Sequence, residues 1–330
     1  VLARVLANGM SRIKFHHFAW GLLIYCIPAI LLGAFVRASH SGDGCGNHWP
    51  LCNGAIIPDA EHSKSWVEFA HRISTGILLP ITIALVVWAF RVFPKGHLVR
   101  KAAVASLIFM IIEGLIGAVL VKLELVADNA SASRAIYMSI HLANTFILLA
   151  ALVLTAWSSS GFPVSRLRKD RTTALLFLGL FGVLLLGVSG AITALGDTLF
   201  PSHNLAQALH DASSPLSHFL ILMRLWQPAI ALVLLFGILL LSMYIGAQRP
   251  LPLVKKLAQG MVVLYAVQIL VGYLNAYLKA PIPMQLVHLF LADLLWMNMV
   301  CLTAAALATE DVAETAKLPV SRELEAVGAI

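Results

Sequence analysis

Three histidines and a glutamate carry the chemistry this sequence could do. His71, His141 and His288 each fall one to two turns inside a strongly apolar run, where ionisable side chains are costly and face a bundle interior or a cavity. The three runs cross in the same direction, so the imidazoles share one depth. Imidazole from facing helices is a common way to hold haem iron; a buried core histidine and a proton relay are the other uses. Three at matched depth on alternate runs favour iron, and zinc lacks a third and fourth ligand at metal spacing. Glu68 stands three residues before His71, so both leave nearly the same helix face. A carboxylate beside a buried imidazole is a candidate catalytic group. Its other reading is an interfacial charge in the first turn of a helix, where it suits the dipole.

Glu113 is also costly to bury, and its counterpart Gln268 points to polar packing or hydrogen bonding. Cys45 and Cys52 flank Gly46-Asn47-His48-Trp49-Pro50-Leu51. In an oxidising exterior that turn-rich spacing favours a disulfide, as a staple over the bundle mouth more than as a redox couple. Without a Cys-x-x-Cys-His run, covalent haem attachment is not expected. Cys26 and Cys301 lie inside apolar runs and read as small fillers. His16, His17 and His97 read as interfacial, and His40, His48, His62, His203 and His210 as loop residues.

The elements that position these groups follow from composition. The chain has 330 residues, 60% of them hydrophobic and 12% charged, with a mean hydropathy of +0.88. A soluble domain carries about a quarter charged residues, so disordered, disulfide-scaffold and ordinary cytosolic classes are excluded. Apolar runs of spanning length recur near Phe15–Val36, Trp66–Phe90, Ala102–Val121, Ala135–Trp157, Thr173–Leu195, Leu216–Ile245, Leu257–Leu278 and Met284–Ala308. Backbone in hydrocarbon must bond internally, so these predict eight transmembrane helices in an all-α membrane protein.

Lys+Arg (23) exceed Asp+Glu (16), but the basic residues sit in short loops, which marks topology rather than nucleic acid. Arg4, Arg12 and Lys14 precede the first run, Arg91 to Lys101 follow the second, Arg166 to Arg171 the fourth, and Arg249 to Lys256 the sixth. Both termini are therefore expected in the cytoplasm. The chain opens at Val1 without a methionine, as expected if a few residues precede it. The first run reads as a retained helix rather than a signal peptide, and the segment from Thr309 as a solvated cytoplasmic tail.

The halves echo each other. Gly33-Ala34-Phe35-Val36 matches Gly190-Ala191-Ile192-Thr193, Glu113-Gly114-Leu115-Ile116-Gly117 matches Gln268-Ile269-Leu270-Val271-Gly272, and His141 and His288 stand seven residues after Arg134 and Pro281. Apolar helices resemble one another in any case, but these matches keep register with the histidines. They predict two pseudo-symmetric four-helix bundles: residues 1–165, residues 166–308, then the tail 309–330.

At this point the chain resembles the haem A synthase family. The resemblance rests on Gly42-Asp43-Gly44-Cys45-Gly46-Asn47-His48-Trp49-Pro50-Leu51-Cys52-Asn53-Gly54, on Glu68-Phe69-Ala70-His71-Arg72, and on His141 and His288. It implies a multi-pass protein of the bacterial inner membrane that oxidises the C8 methyl of haem O to a formyl group, giving haem A. His71 and His141 would ligate the substrate iron in the amino-terminal half, with Glu68 beside the reacting porphyrin. A carboxy-terminal site with His288 would hold a haem b. The cysteine pair matches the family's loop disulfide. Haem O synthase and the cytochrome oxidase assembly machinery are the partners implied, beside the lipid bilayer, with room for a homo-oligomer.

One position departs from the pattern. The family's sixth-helix histidine falls at Gln227, and an amide is a poor iron ligand. His218, nine residues earlier, would face the opposite way about 13 Å along the axis unless Pro215 or Pro228 breaks the helix. Arg224 takes the place equivalent to Glu68 and suits a propionate or a structural role. A membrane b-type cytochrome that relays electrons without modifying haem is the alternative, and a proton-shuttling transporter ranks after it.

Overall fold

The computed structural model describes residues 2–59, 62–162, 170–249 and 251–308, with side chains from Lys14 onward apart from Leu205. Among them are α1 (Leu2–Ala38), α2 (Ser63–Val92), α3 (Leu98–Lys122), α4 (Ala132–Ser159), α5 (Arg171–Leu199), α6 (Leu205–Ser213), α7 (Phe219–Gln248), α8 (Pro252–Tyr277) and α9 (Ile282–Ala306), and no named strand. All but the short α6 are long and apolar enough to cross a membrane. Apolar residues run right round them: Ile77, Ile83 and Val87 on α2, and Val233, Phe236 and Leu240 on α7, are exposed. That distribution suits a helix with lipid on one side and protein on the other.

Helix starts follow local chemistry. The Ser131 hydroxyl accepts from the Arg134 N–H (3.2 Å), and Asp170 from the Thr173 N–H (2.8 Å). Prolines open α8 and α9, where their missing N–H is not needed. Pro28, Pro80 and Pro228 lie inside helices that continue past them.

α1 and α3 each pack against α2 and α4; α5 and α8 each pack against α7 and α9. Between the halves, α1 and α4 touch α5 and α9. The indole N–H of Trp296 donates to the Phe146 carbonyl (2.6 Å) across that seam, and the two rings stack at 5.0 Å.

The eight expected spans are all helices, with ends shifted by a few residues. Three readings change. The helix α6, in the connection expected to be loop, was not anticipated, and His210 lies on it. The sixth span starts at Phe219, so His218 is the residue before the helix rather than within it. Glu68 is the sixth residue of α2, past the first turn, because Ser63-Lys64-Ser65 is already helical. The boundary at 165/166 and the tail from Thr309 lie outside the described residues.

Candidate functional site

His71 and His141 project from α2 and α4, close enough to interact electrostatically. The His71 ring lies against Gly33 of α1: a Cβ there would come within 2.8 Å of its Cε1. Gly33 is thus fixed by a close approach, not by a turn. The Nδ1 atoms of His71, His141 and His288 are all buried without a hydrogen-bond partner. The neighbouring rings of His71 and His141 can supply nitrogen donors to a group such as iron in a porphyrin.

Glu113 faces His141 without a hydrogen bond to it. Its Oε1 stands 3.5 Å from the His141 Nδ1, and its carboxylate accepts from the Thr145 hydroxyl and from the Asn144 amide (2.5 Å). The second half repeats the pair with an amide, the Gln268 Nε2 lying 3.4 Å from the His288 Nε2 and donating to the His288 carbonyl (3.1 Å). Gly272 stands against the His288 ring, where a Cβ would lie 2.9 Å from Cε1. A partner that fixes the ring of a metal-binding histidine is the usual outer-shell arrangement.

Glu68 is buried, and both of its oxygens are engaged. Oε2 accepts from the Cys45 N–H (2.9 Å), and Oε1 from the Arg72 guanidinium (2.5 and 3.1 Å). Arg72 also donates to the carbonyls of His48 and Leu51 (both 2.7 Å). Cys45 and Cys52 are joined in a disulfide. Glu68 and Arg72 therefore dock the disulfide loop on α2 one turn from His71. Arg72 had a sequence signal, since carboxylate and guanidinium four apart on a helix are neighbours.

The other candidates lie on α7 or next to its ends. Gln227 is half-buried on α7. His218 caps that helix, its Nδ1 accepting from the Leu220 N–H (3.3 Å) and its ring set between Phe200 and Phe219. α7 runs unbroken through Pro228 but begins only after Pro215, so His218 is aimed by the turn before the helix and not by helix register. Arg224 pairs with Asp197 (2.8 Å) and donates to Ser202 and the Phe200 carbonyl. His40 pairs with Asp128 (2.9 Å).

The Gly33 contact yields a prediction. Gly33→Ala forces the His71 ring to turn, and should shift or abolish the absorption of any haem bound there. Gly117→Ala, where a Cβ meets nothing within 4 Å, should leave it unchanged. Identical spectra for both variants would show that Gly33 does not seat the ligand.

Residues 16–300 match the family described as cytochrome oxidase assembly protein, COX15-CtaA. The "Protoheme IX farnesyltransferase" of Thermus thermophilus is 46% identical over 291 residues, which cover 88% of this chain and 48% of that protein. The "Heme A synthase" of Symbiobacterium thermophilum is 39% identical over 90 residues, 27% of this chain and 29% of that protein. That of an Exiguobacterium species is 34% identical over 141 residues, 43% and 46% respectively. The chain spans about half the length, or less, of these curated relatives.

Proposed function

Because the chain belongs to the COX15-CtaA family of cytochrome oxidase assembly proteins, we propose that it is a haem A synthase, an oxidoreductase that converts the C8 methyl of haem O into the formyl of haem A. The observation that carries this reading is the pair His71 and His141, on α2 and α4, with buried unpartnered nitrogens beneath a loop docked by Glu68 and Arg72. The heme A synthases among its relatives support the substrate.

The bound haem supplies the iron that ligation by imidazole tunes. His71 and His141 would hold that iron, with the Glu113 carboxylate beside the ring of His141. The docked loop closes the site toward the surface and limits water. Glu68, one turn from His71, is the charge placed to stabilise a cation developing on the porphyrin or to accept a proton from it. The helix contacts support a reading as two four-helix bundles, 1–165 holding the substrate and 166–308 related to it by the repeat. A haem b in the second bundle would have His288 as its imidazole, with Gln227 a poor second ligand.

The family points to the bacterial inner membrane, and the charge pattern supports both termini in the cytoplasm and the histidines near the outer face. Haem O is a farnesylated haem, so the enzyme that supplies it is a prenyltransferase. A relative named protoheme IX farnesyltransferase, about half of which this chain matches, supports that neighbour. A second reading, a b-type cytochrome that only relays electrons, is favoured by one observation: both oxygens of Glu68 already hold protein partners.

Expression in a host that makes haem O but not haem A, followed by chromatography of extracted haem, separates the two. Haem A should appear with the full chain and not with an empty vector. Haem-loaded protein that leaves only haem O in the extract would overturn the synthase reading and favour the relay.

A further inference from the structure

Two arginines stand on the loop side of the paired histidines, and the reading above uses neither. Arg134 is the third residue of α4, seven before His141. Seven residues are close to two turns, so it lies over His141 on the same helix face, about 10 Å nearer the helix end. Arg134 is 3% exposed. One terminal nitrogen donates to the carbonyls of Ala127 and Asn129, while its Nε is buried with no partner. Arg37 stands four residues after Gly33, one turn above the glycine that seats the His71 ring. It donates to the Ala194 carbonyl (2.7 Å), the Thr198 hydroxyl (2.6 Å) and the Gln285 side-chain oxygen (2.8 Å). Three of its five N–H groups thus meet neutral oxygens.

The two guanidiniums are near enough to feel each other's charge, yet among the described residues neither bonds to a carboxylate. The nearby acids, Asp197 and Asp128, attract them through space but make their short contacts to Arg224 and His40. Like charges held together, one with an orphaned donor, make a site for an anion, and planar guanidiniums suit carboxylates. The height above His141 is of the order of a porphyrin radius plus its acid side arm. In the second half the same register places Pro281 seven before His288, and Ala194 four after Gly190. Neither can bind a carboxylate.

We infer that Arg134 and Arg37 bind the propionate carboxylates of the porphyrin whose iron is held by His71 and His141, and so fix which way the ring enters the first half. This rests on the haem reading above, and the test separates the two. The full chain, purified in detergent from a haem-deficient host, is titrated with protohaem and with its dimethyl ester, which lacks only the free carboxylates, and the Soret band is followed. The free acid should bind about tenfold or more tightly than the ester, as expected for charge-assisted hydrogen bonds. Arg134→Gln and Arg37→Gln should bring the acid down toward the ester and leave ester binding unchanged. Arg134 also holds the connection at 123–131, so its loss could disturb that corner; the acid-against-ester comparison on the unaltered chain needs no variant. Equal binding of acid and ester would overturn the arginine assignment while leaving the histidines in place. No Soret change with either compound would overturn both.

Discussion

Replacing His71 or His141 by alanine should remove haem A from the extract and abolish the low-spin absorption of the amino-terminal site. The expected fall in product is more than about 100-fold, since loss of even an outer-shell partner costs about 10- to 100-fold at a metal site. Glu113→Gln is that outer-shell case. It keeps hydrogen bonding to Asn144 and Thr145 but loses the charge facing the His141 Nδ1, so its product should fall within the 10- to 100-fold range. His288→Ala lies in the other half and should leave most of the product. The reverse ranking, with His288→Ala inactive and His71→Ala active, would move the reaction to the second half and sink the site proposed here.

The helices that carry these histidines are legible in the sequence while the surroundings of the side chains are not, and the difference is one of range. Hydrocarbon forces each span into a helix, so an apolar run near Trp66 or Ala135 reports α2 or α4 directly. A match between the halves is legible at two pairs of residues. Glu113 and Gln268 keep register with His141 and His288, and in the fold each stands beside its histidine. Glu68 was harder. The apolar run starts at Trp66, which put the carboxylate in a first turn, whereas the helix starts at Ser63. The polar residues there serve the loop, the Ser65 hydroxyl donating to the Gly44 carbonyl (2.5 Å). His218 shows the same weakness, since the apolar Leu216 extends the run past a residue that caps the helix. Arg37 left no local trace at all. Its partners lie on α5 and α9, and no spacing within one helix reports a contact between halves.

Glu68 is where the catalytic and the structural role make different forecasts. Glu68→Ala leaves the Arg72 guanidinium without its anion and the Cys45 N–H without an acceptor, in a buried place. Breaking a buried pair from one side costs about 3–5 kcal/mol, enough to free the loop, so a loss of haem A from that variant alone would be uninformative. Glu68→Gln is the milder change: its amide oxygen can still accept from Cys45, and although its NH2 group then faces the guanidinium, Arg72 keeps its own bonds to the His48 and Leu51 carbonyls. Arg72→Gln removes the ties to His48 and Leu51 and leaves the carboxylate. If the charge acts on the porphyrin, Glu68→Gln should cut haem A by about 100-fold or more, the scale of losing one electrostatic contact to a transition state. Limited proteolysis should then find the segment between Cys45 and Cys52 as protected as before. Arg72→Gln should show the opposite balance, with the loop cut readily and a smaller loss of product. Equal losses that track loop cutting in both variants would make Glu68 an anchor for the loop. Unchanged haem A from Glu68→Gln would remove it from the chemistry.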